Sequence, residues 1–382
     1  MSIPLGWLQL KHRKLRLFVA LAGIAFAVVL ILMQLGFQAS LFGSSVRYHR
    51  QLRYDIALVG KDTSFLVQPT PFSSRRLYQA LGVDGVASVT PVYVSPAVWK
   101  NPWSHDSRQI FAIGVDPSED ALEATGVREN AEQLRRRDVA LYDALARPEF
   151  GPVAEHVRRG ERLAVEVNGR EIEIGGLFEV GTSFGIDASL LMSDTNFLRL
   201  FPNRARTQID IGLIRLRPGA DPQAVRDRLR ALLPPDVHVL TKAEYIDKEI
   251  TYWSNTTPIG YVFAFGCVIG FVVGCIIVYQ ILFADVSDHL AEYATLKAMG
   301  YSNRWLSGVV LQQALILAVL GYVPGLLVTL WLYRMAGAAT HLPLELTVAR
   351  AVGVLALTAT MCAVSGFLAL RKVRALDPAE IF

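Results

Sequence analysis

The residues of this 382-residue chain that could do chemistry are scattered, and three groupings decide whether any of them makes a reactive site. Gly181-Thr182-Ser183-Phe184-Gly185 fits the G-x-S-x-G spacing of a nucleophile elbow, in which a strand, a sharp turn and a helix lift a serine hydroxyl clear of the backbone. The stretch that follows, Ile186 to Ser193, is short and reads as loop or strand, so the spacing predicts a glycine-rich turn between strands. The seven histidines include no pair that would set two imidazoles on one helix face, and no metal site is expected. A nucleotide-binding P-loop needs Gly-Lys followed by Ser or Thr, because the lysine reaches the phosphates and the hydroxyl holds magnesium. Lys61 follows Gly60, but Asp62 comes next. The expectation is a non-catalytic chain with no cofactor of its own.

The elements around these residues are dominated by four apolar segments. Leu17 to Leu35 is uncharged, and about twenty helical residues cross the roughly 30 Å hydrocarbon layer. Three further segments pass the same test, giving spans at 17–37, 260–283, 305–333 and 349–370. Basic residues collect on the cytoplasmic side of short loops. Lys11, Arg13, Lys14 and Arg16 precede the first span, Arg371, Lys372 and Arg374 follow the last, and an even number of spans puts both clusters on one side. The segments 1–16, 284–304 and 371–382 are therefore expected in the cytoplasm, and 38–259 and 334–348 outside it. Arg334 and Arg350 flank the short outer loop, against the trend. A cleaved signal peptide is the rival reading of the first segment, but its apolar run exceeds the usual 7 to 15 residues or so.

Composition agrees with this plan. Hydrophobic residues make up 52% of the chain and the mean hydropathy is +0.34, as membrane helices joined to an ordinary globular domain require. The net charge of +4 is mostly juxtamembrane, which suits anionic lipid headgroups and not nucleic acid. Cys267, Cys275 and Cys362 all fall inside spans, so the large domain carries no disulfide framework. The interiors of the spans carry no Asp, Glu, Lys, Arg or His, whereas ion and proton relays need such groups at membrane depth. A secondary transporter is thereby disfavoured.

The large domain opens with a β-α-β unit: a strand at Tyr54 to Gly60, a helix at Ser73 to Leu81 and a strand at Val86 to Val94. A similar unit recurs at Gln208 to Leu216, Asp221 to Leu233 with Asp221 as N-cap, and Val237 to Leu240. Between them, about 99–201 carries strands at Gln109 to Val115, Arg162 to Val167, Glu171 to Phe178 and Ser189 to Met192, and Asn168-Gly169 supplies a hairpin turn. This middle part is expected to be a β-rich subdomain inserted into the first. Arg135 to Arg137 reads as a solvated helix end. From Lys242 to Trp253 a helical pattern leads without a clear break into the second span, with Pro258 as a possible kink.

Within the spans, Gly266, Gly270 and Gly274 form two overlapping G-x-x-x-G steps, a face for close helix packing either within one protomer or between two. Gln34, Gln280, Gln312 and Gln313 suit interhelical amide hydrogen bonds, and Pro324-Gly325 should kink the third span. Asp285 to Gly300, between the second and third spans, is helical in pattern with a glycine C-cap. Leu290, Tyr293, Ala294, Leu296 and Lys297 recur at helical spacing, which fits either a helix seated in a groove of another protein or one lying on the membrane.

Glu292-Tyr293-Ala294-Thr295-Leu296-Lys297-Ala298-Met299-Gly300 resembles the E-x-x-x-L-[KR]-A-[LM]-G stretch of FtsX/MacB-type ABC transporter permeases, and Asp377-Pro378-Ala379-Glu380 resembles their terminal Pro-x-Glu segment. The order of one span, a large domain and three spans is similar over the whole chain. Residues Trp253 to Gly300, with Thr257-Pro258-Ile259-Gly260 and Tyr279-Gln280-Ile281-Leu282, look most like the DevC branch, permeases of heterocyst-type glycolipid exporters. Many members carry Arg near the start of the loop motif, where this chain has Asp288-His289-Leu290.

The resemblance implies an α-helical membrane protein with four transmembrane helices and a MacB-like α+β extracytoplasmic domain of two subdomains between the first and second. It also implies a bacterial inner-membrane location with a periplasmic domain, a homodimer, and a separate ABC ATP-binding subunit that holds ATP and magnesium. Glu292, Thr295, Leu296, Lys297 and Met299 would contact that subunit. Motion of the spans would drive the periplasmic domain to expel a lipid or other hydrophobic substrate through an HlyD-like adaptor and a TolC-like outer-membrane channel. Lipoprotein extraction, and FtsX-like regulation of cell-wall hydrolases without transport, are the alternatives within the same architecture.

Overall fold

The computed structural model describes residues 14–289, 292, 295–297, 299–340, 342 and 344–374. Leu290, Tyr293, Ala294, Ala298, the bases at 11–13 and the terminal Pro-x-Glu segment lie outside the described residues, as do the side chains of Arg371, Lys372 and Arg374. The chain divides into two units, one of residues 1–40 and 258–382 and one of Leu41–Thr257.

The first unit contains the four spans. Helix α1 covers Lys14–Ser45 and runs into the second unit, where a short helix α2, Arg47–Gln51, follows it. The other spans are Pro258–Asp288, Asn303–Thr340 and Val348–Arg374, and all four helices are long and apolar enough to cross a membrane. Each outruns its apolar core, because a helix can continue into polar sequence beyond the hydrocarbon-length segment that hydropathy detects. The third continues through Pro324, with the Thr329 hydroxyl donating to the Gly325 carbonyl. Ala20, Ile24, Ala27, Val28, Ile31 and Leu32 of α1 form a buried stripe at helical spacing, packed in one cluster with residues of the other three helices.

The second unit is a mixed sheet covered by helices. Its strands are β1 (Ile56–Gly60), β2 (Phe72–Ser73), β3 (Val86–Lys100), β4 (Ser107–Val115), β5 (Val139–Asp143), β6 (Ala164–Val167), β7 (Arg170–Phe178), β8 (Ser189–Ser193), β9 (Gln208–Ile209), β10 (Ile211–Leu216) and β11 (Val237–Thr241). Nine of them make one sheet in the order β11-β1-β10-β3-β4-β8-β5-β7-β6, and β2 pairs with β9. The segment expected to be an inserted subdomain shares this sheet with the flanking β-α-β units. The joint is β3, whose fifteen residues pair with β10 at one end and with β4 along Val92 to Lys100. Two cores lie on the sheet's faces, one around Leu58, Leu77, Trp99, Tyr142 and Phe197, the other around Tyr48, Phe111, Leu141, Phe178 and Tyr245.

Local signals account for the element ends. Asn168 and Gly169 have φ of 50° and 74°, the left-handed pair that a two-residue hairpin requires. Asp221 accepts from the Gln223 N–H at the start of the helix Pro222–Leu232. Thr241 and Glu244 form a capping box on the next helix, Lys242–Thr251. That helix does not run on into the second span. It ends in a single π turn over Tyr252–Thr256, and Thr257 is extended at φ −99° and ψ 151°. The ring of Pro258 clashes with an α-helical residue before it, which forces the break that the helical pattern alone did not reveal.

Candidate functional site

The loop between the second and third spans is built around one glycine. Gly300 has φ +94°, its N–H donates to the Lys297 carbonyl at 3.0 Å, and the Tyr301 N–H donates to the Leu296 carbonyl at 3.1 Å. This pair of bonds is a Schellman cap, and it stops the helix that contains 295–297. Ser302 then caps the third span: the Trp305 N–H donates to its Oγ at 3.3 Å, and the rings of Tyr301 and Trp305 sit 4.6 Å apart. Glu292, Thr295 and Met299 are spaced to share one helical face and are all exposed, Met299 at 66%. Leu296 and Lys297 are half-buried.

The three glycines of the second span meet the chain's own helices. A side chain at Gly266 would run into Gln34 at 2.5 Å, one at Gly270 into Ile31 at 3.0 Å, and one at Gly274 into Met361 and, at 2.9 Å, Ala27. Gly270 and Gly274 are buried, whereas Tyr261, Val262, Phe265, Val268, Val272 and Ile276 on the same helix are exposed. The lack of side chains on this face lets Gln34, Ile31 and Ala27 of the first span and Met361 of the fourth pack directly against it.

In the second unit a buried carboxylate gathers three segments that sequence reasoning did not connect. Glu249 is 2% exposed. Its Oε2 accepts from the Leu66 N–H at 3.0 Å and lies 3.4 Å from His49 Nε2, and its Oε1 accepts from Trp253 Nε1 at 3.0 Å. His49 stands on the short helix after the first span, Leu66 on the loop after β1, and Trp253 on the π turn before the second span. The one local signal is that Glu249 interrupts a helical apolar stripe of Tyr245, Glu249 and Trp253. Phe65 stacks on Tyr252 at 4.6 Å and meets Trp253 edge-on, which adds aromatic contacts beside the carboxylate.

A second buried acid explains the Gly181 to Gly185 segment. Asp143 accepts from the N–H groups of Leu145 at 3.0 Å, Val180 at 3.3 Å and Gly181 at 2.8 Å, and from the Ser189 hydroxyl, which also bonds to Tyr48. Burial pushes the Asp143 carboxyl up, with these donors pulling it partly back. Ser183 is buried and its backbone pairs with Ile186 in a closed turn, and strand β8 follows. The strand-turn-helix of a nucleophile elbow is not formed, because Gly181 is tied to Asp143 and the chain returns directly into the sheet.

Two family models match the chain: the MacB-like periplasmic core domain over residues 17–232, and the FtsX-like permease C-terminal region over residues 261–378. Uncharacterized ABC transporter permeases of Mycobacterium bovis and Mycobacterium tuberculosis are 22% identical over 378 residues, covering 98% of this chain and 97% of each relative. The periplasmic region of MacB from Actinobacillus actinomycetemcomitans aligns at TM-score 0.35 and 11% identity over 56% of this chain and 99% of that one. The extracellular domain of the transporter YknZ from Gram-positive bacteria aligns at TM-score 0.35 and 12% identity over 49% and 98%. With four spanning helices, an α+β domain between the first and second, the two family matches and the full-length permease relatives, the chain belongs to the MacB/FtsX type of ABC transporter permeases.

Proposed function

We propose that this chain is the membrane subunit of an ABC-type exporter, paired as a homodimer with a separate ATP-binding subunit that holds ATP and magnesium. In this reading both termini and the 284–304 loop are cytoplasmic, in a bacterial inner membrane, and the large domain is periplasmic. The observation that carries it is the Schellman-capped turn at Gly300 with Glu292, Thr295 and Met299 exposed on one face. Those residues, with Leu296 and Lys297, form the contact through which ATP-driven closure moves the spans. The large domain then expels a lipid or other hydrophobic cargo, as DevC-type permeases do, through an HlyD-like adaptor and a TolC-like outer-membrane channel.

The test is recovery of the tagged chain from native membranes with mass spectrometry and ATPase assay of what accompanies it, for wild type, Glu292→Ala and Leu296→Asp. An ATP-binding subunit and an adaptor are expected with wild type, and loss of coupled function in both variants while each still reaches the membrane. Unchanged function in both variants removes the loop from the mechanism, and recovery of a cell-wall hydrolase in place of the adaptor replaces export with regulation.

A further inference from the structure

The second span ends in two acids that the hydropathy boundary leaves in the loop and the structure places on the helix. Asp285 is 9% exposed, and a carboxylate so placed at the end of a spanning helix is costly unless it is paired. Its Oδ2 accepts from Nε2 of Gln313, which is fully buried on the third span, at 3.2 Å. One turn later Asp288 pairs with Arg16 near the start of the first span. The ring of His289 lies back on the helix, with Nδ1 2.9 Å from the Asp285 carbonyl oxygen. Within four residues the end of one span is therefore tied to both the first and the third, immediately before the residues assigned above to the ATPase contact.

We propose that Asp285 and Asp288 are positioning residues: a polar clamp that makes the first and third spans follow any displacement of the 285–300 loop. An apolar helix end at this place could slide against its neighbours, because methyl groups exchange contacts at little cost. The buried hydrogen bond fixes one register, since losing it leaves a buried polar group unpaired at about 1–3 kcal/mol, and the Arg16–Asp288 ion pair, with side chains 46% and 31% exposed, adds a smaller directional hold. The clamp rests on the coupling reading above, and the experiment separates the two.

The full chain is purified with its accompanying ATP-binding subunit, placed in phospholipid vesicles, and assayed for bound ATPase, ATP turnover and the ATP-dependent change in trypsin cleavage of residues 41–257. Absence of that change in wild type defeats the coupling reading itself. With wild type coupled, Arg16→Asp and Asp288→Arg singly are expected to retain bound ATPase and weaken the ATP-dependent change by up to about fivefold, the lower end of ordinary coupling energies. The double exchange of Arg16→Asp with Asp288→Arg restores it. Asp285→Asn keeps an acceptor for Gln313 and stays coupled, while Asp285→Leu and Gln313→Leu do not. Single variants that couple like wild type, or a double exchange that recovers nothing, overturn the clamp, and Asp285→Asn failing as badly as Asp285→Leu overturns the hydrogen-bond half of it.

Discussion

Glu249 offers the sharpest test of what holds the two ends of the large domain together. Replacing it with Ala removes the acceptor for the Leu66 N–H and the Trp253 Nε1–H, both at 3.0 Å, in a site 2% exposed. Each buried donor left unpaired costs about 1–3 kcal/mol, so the two together cost about 2–6 kcal/mol before any cavity is counted. Glu249→Gln has the same shape but one acceptor oxygen. Because each carboxylate oxygen already receives an N–H, the amide nitrogen must face a donor, and a loss of about 1–2 kcal/mol is expected. For a domain of this size 1 kcal/mol moves the midpoint by about 2–4 °C, so Ala should lower it by roughly 10 °C and Gln by a few degrees. The assay is thermal unfolding of the detergent-purified chain followed by near-ultraviolet circular dichroism. An Ala variant within about 1 kcal/mol of wild type would refute the reasoning, since it would mean that water or a rearranged loop satisfies both donors.

Three further outcomes follow from other parts of the chain. Gly274→Ala meets Ala27 at 2.9 Å as well as Met361 and should destabilise the spans by about 1–3 kcal/mol, whereas Gly266→Ala presses on the flexible Gln34 side chain and should cost less, as urea or heat titration of both variants can check. Gly300→Val places a β-branched residue at φ +94° and should unwind the cap, read as faster amide exchange at 296–301 and weaker ATPase recovery. Burial pushes the Asp210 carboxyl up to about 6, with Arg204 pulling the other way. A raised carboxyl binds its proton more tightly folded than unfolded, so this contribution is complete below about pH 4 and is lost as pH rises through about 6, a swing of roughly 3 kcal/mol at most. Asp210→Asn should flatten that part of the stability profile, and an unchanged slope would assign it to another group.

What the sequence determined by itself is whatever depends on a short window. A run of about twenty apolar residues is a spanning helix wherever it occurs, because the hydrocarbon thickness and the helical rise set the length. Asn168-Gly169, the Asp221 cap and the glycine stop at Gly300 are local in the same way, since each is a matter of allowed φ or of a donor within three residues. The tertiary structure alone decided what lies across from what. Leu66 and Glu249 are 183 residues apart and Asp285 and Gln313 are 28 apart, and nothing in either window names the partner. The single sheet through β3 belongs to the same class, because a strand's second neighbour is chosen by the burial of a whole face. So does the helix break at Thr257: Pro258 marked the position, but a kinked helix and an extended residue before proline look alike in sequence until the packing of Trp253 on Glu249 fixes the turn that precedes it.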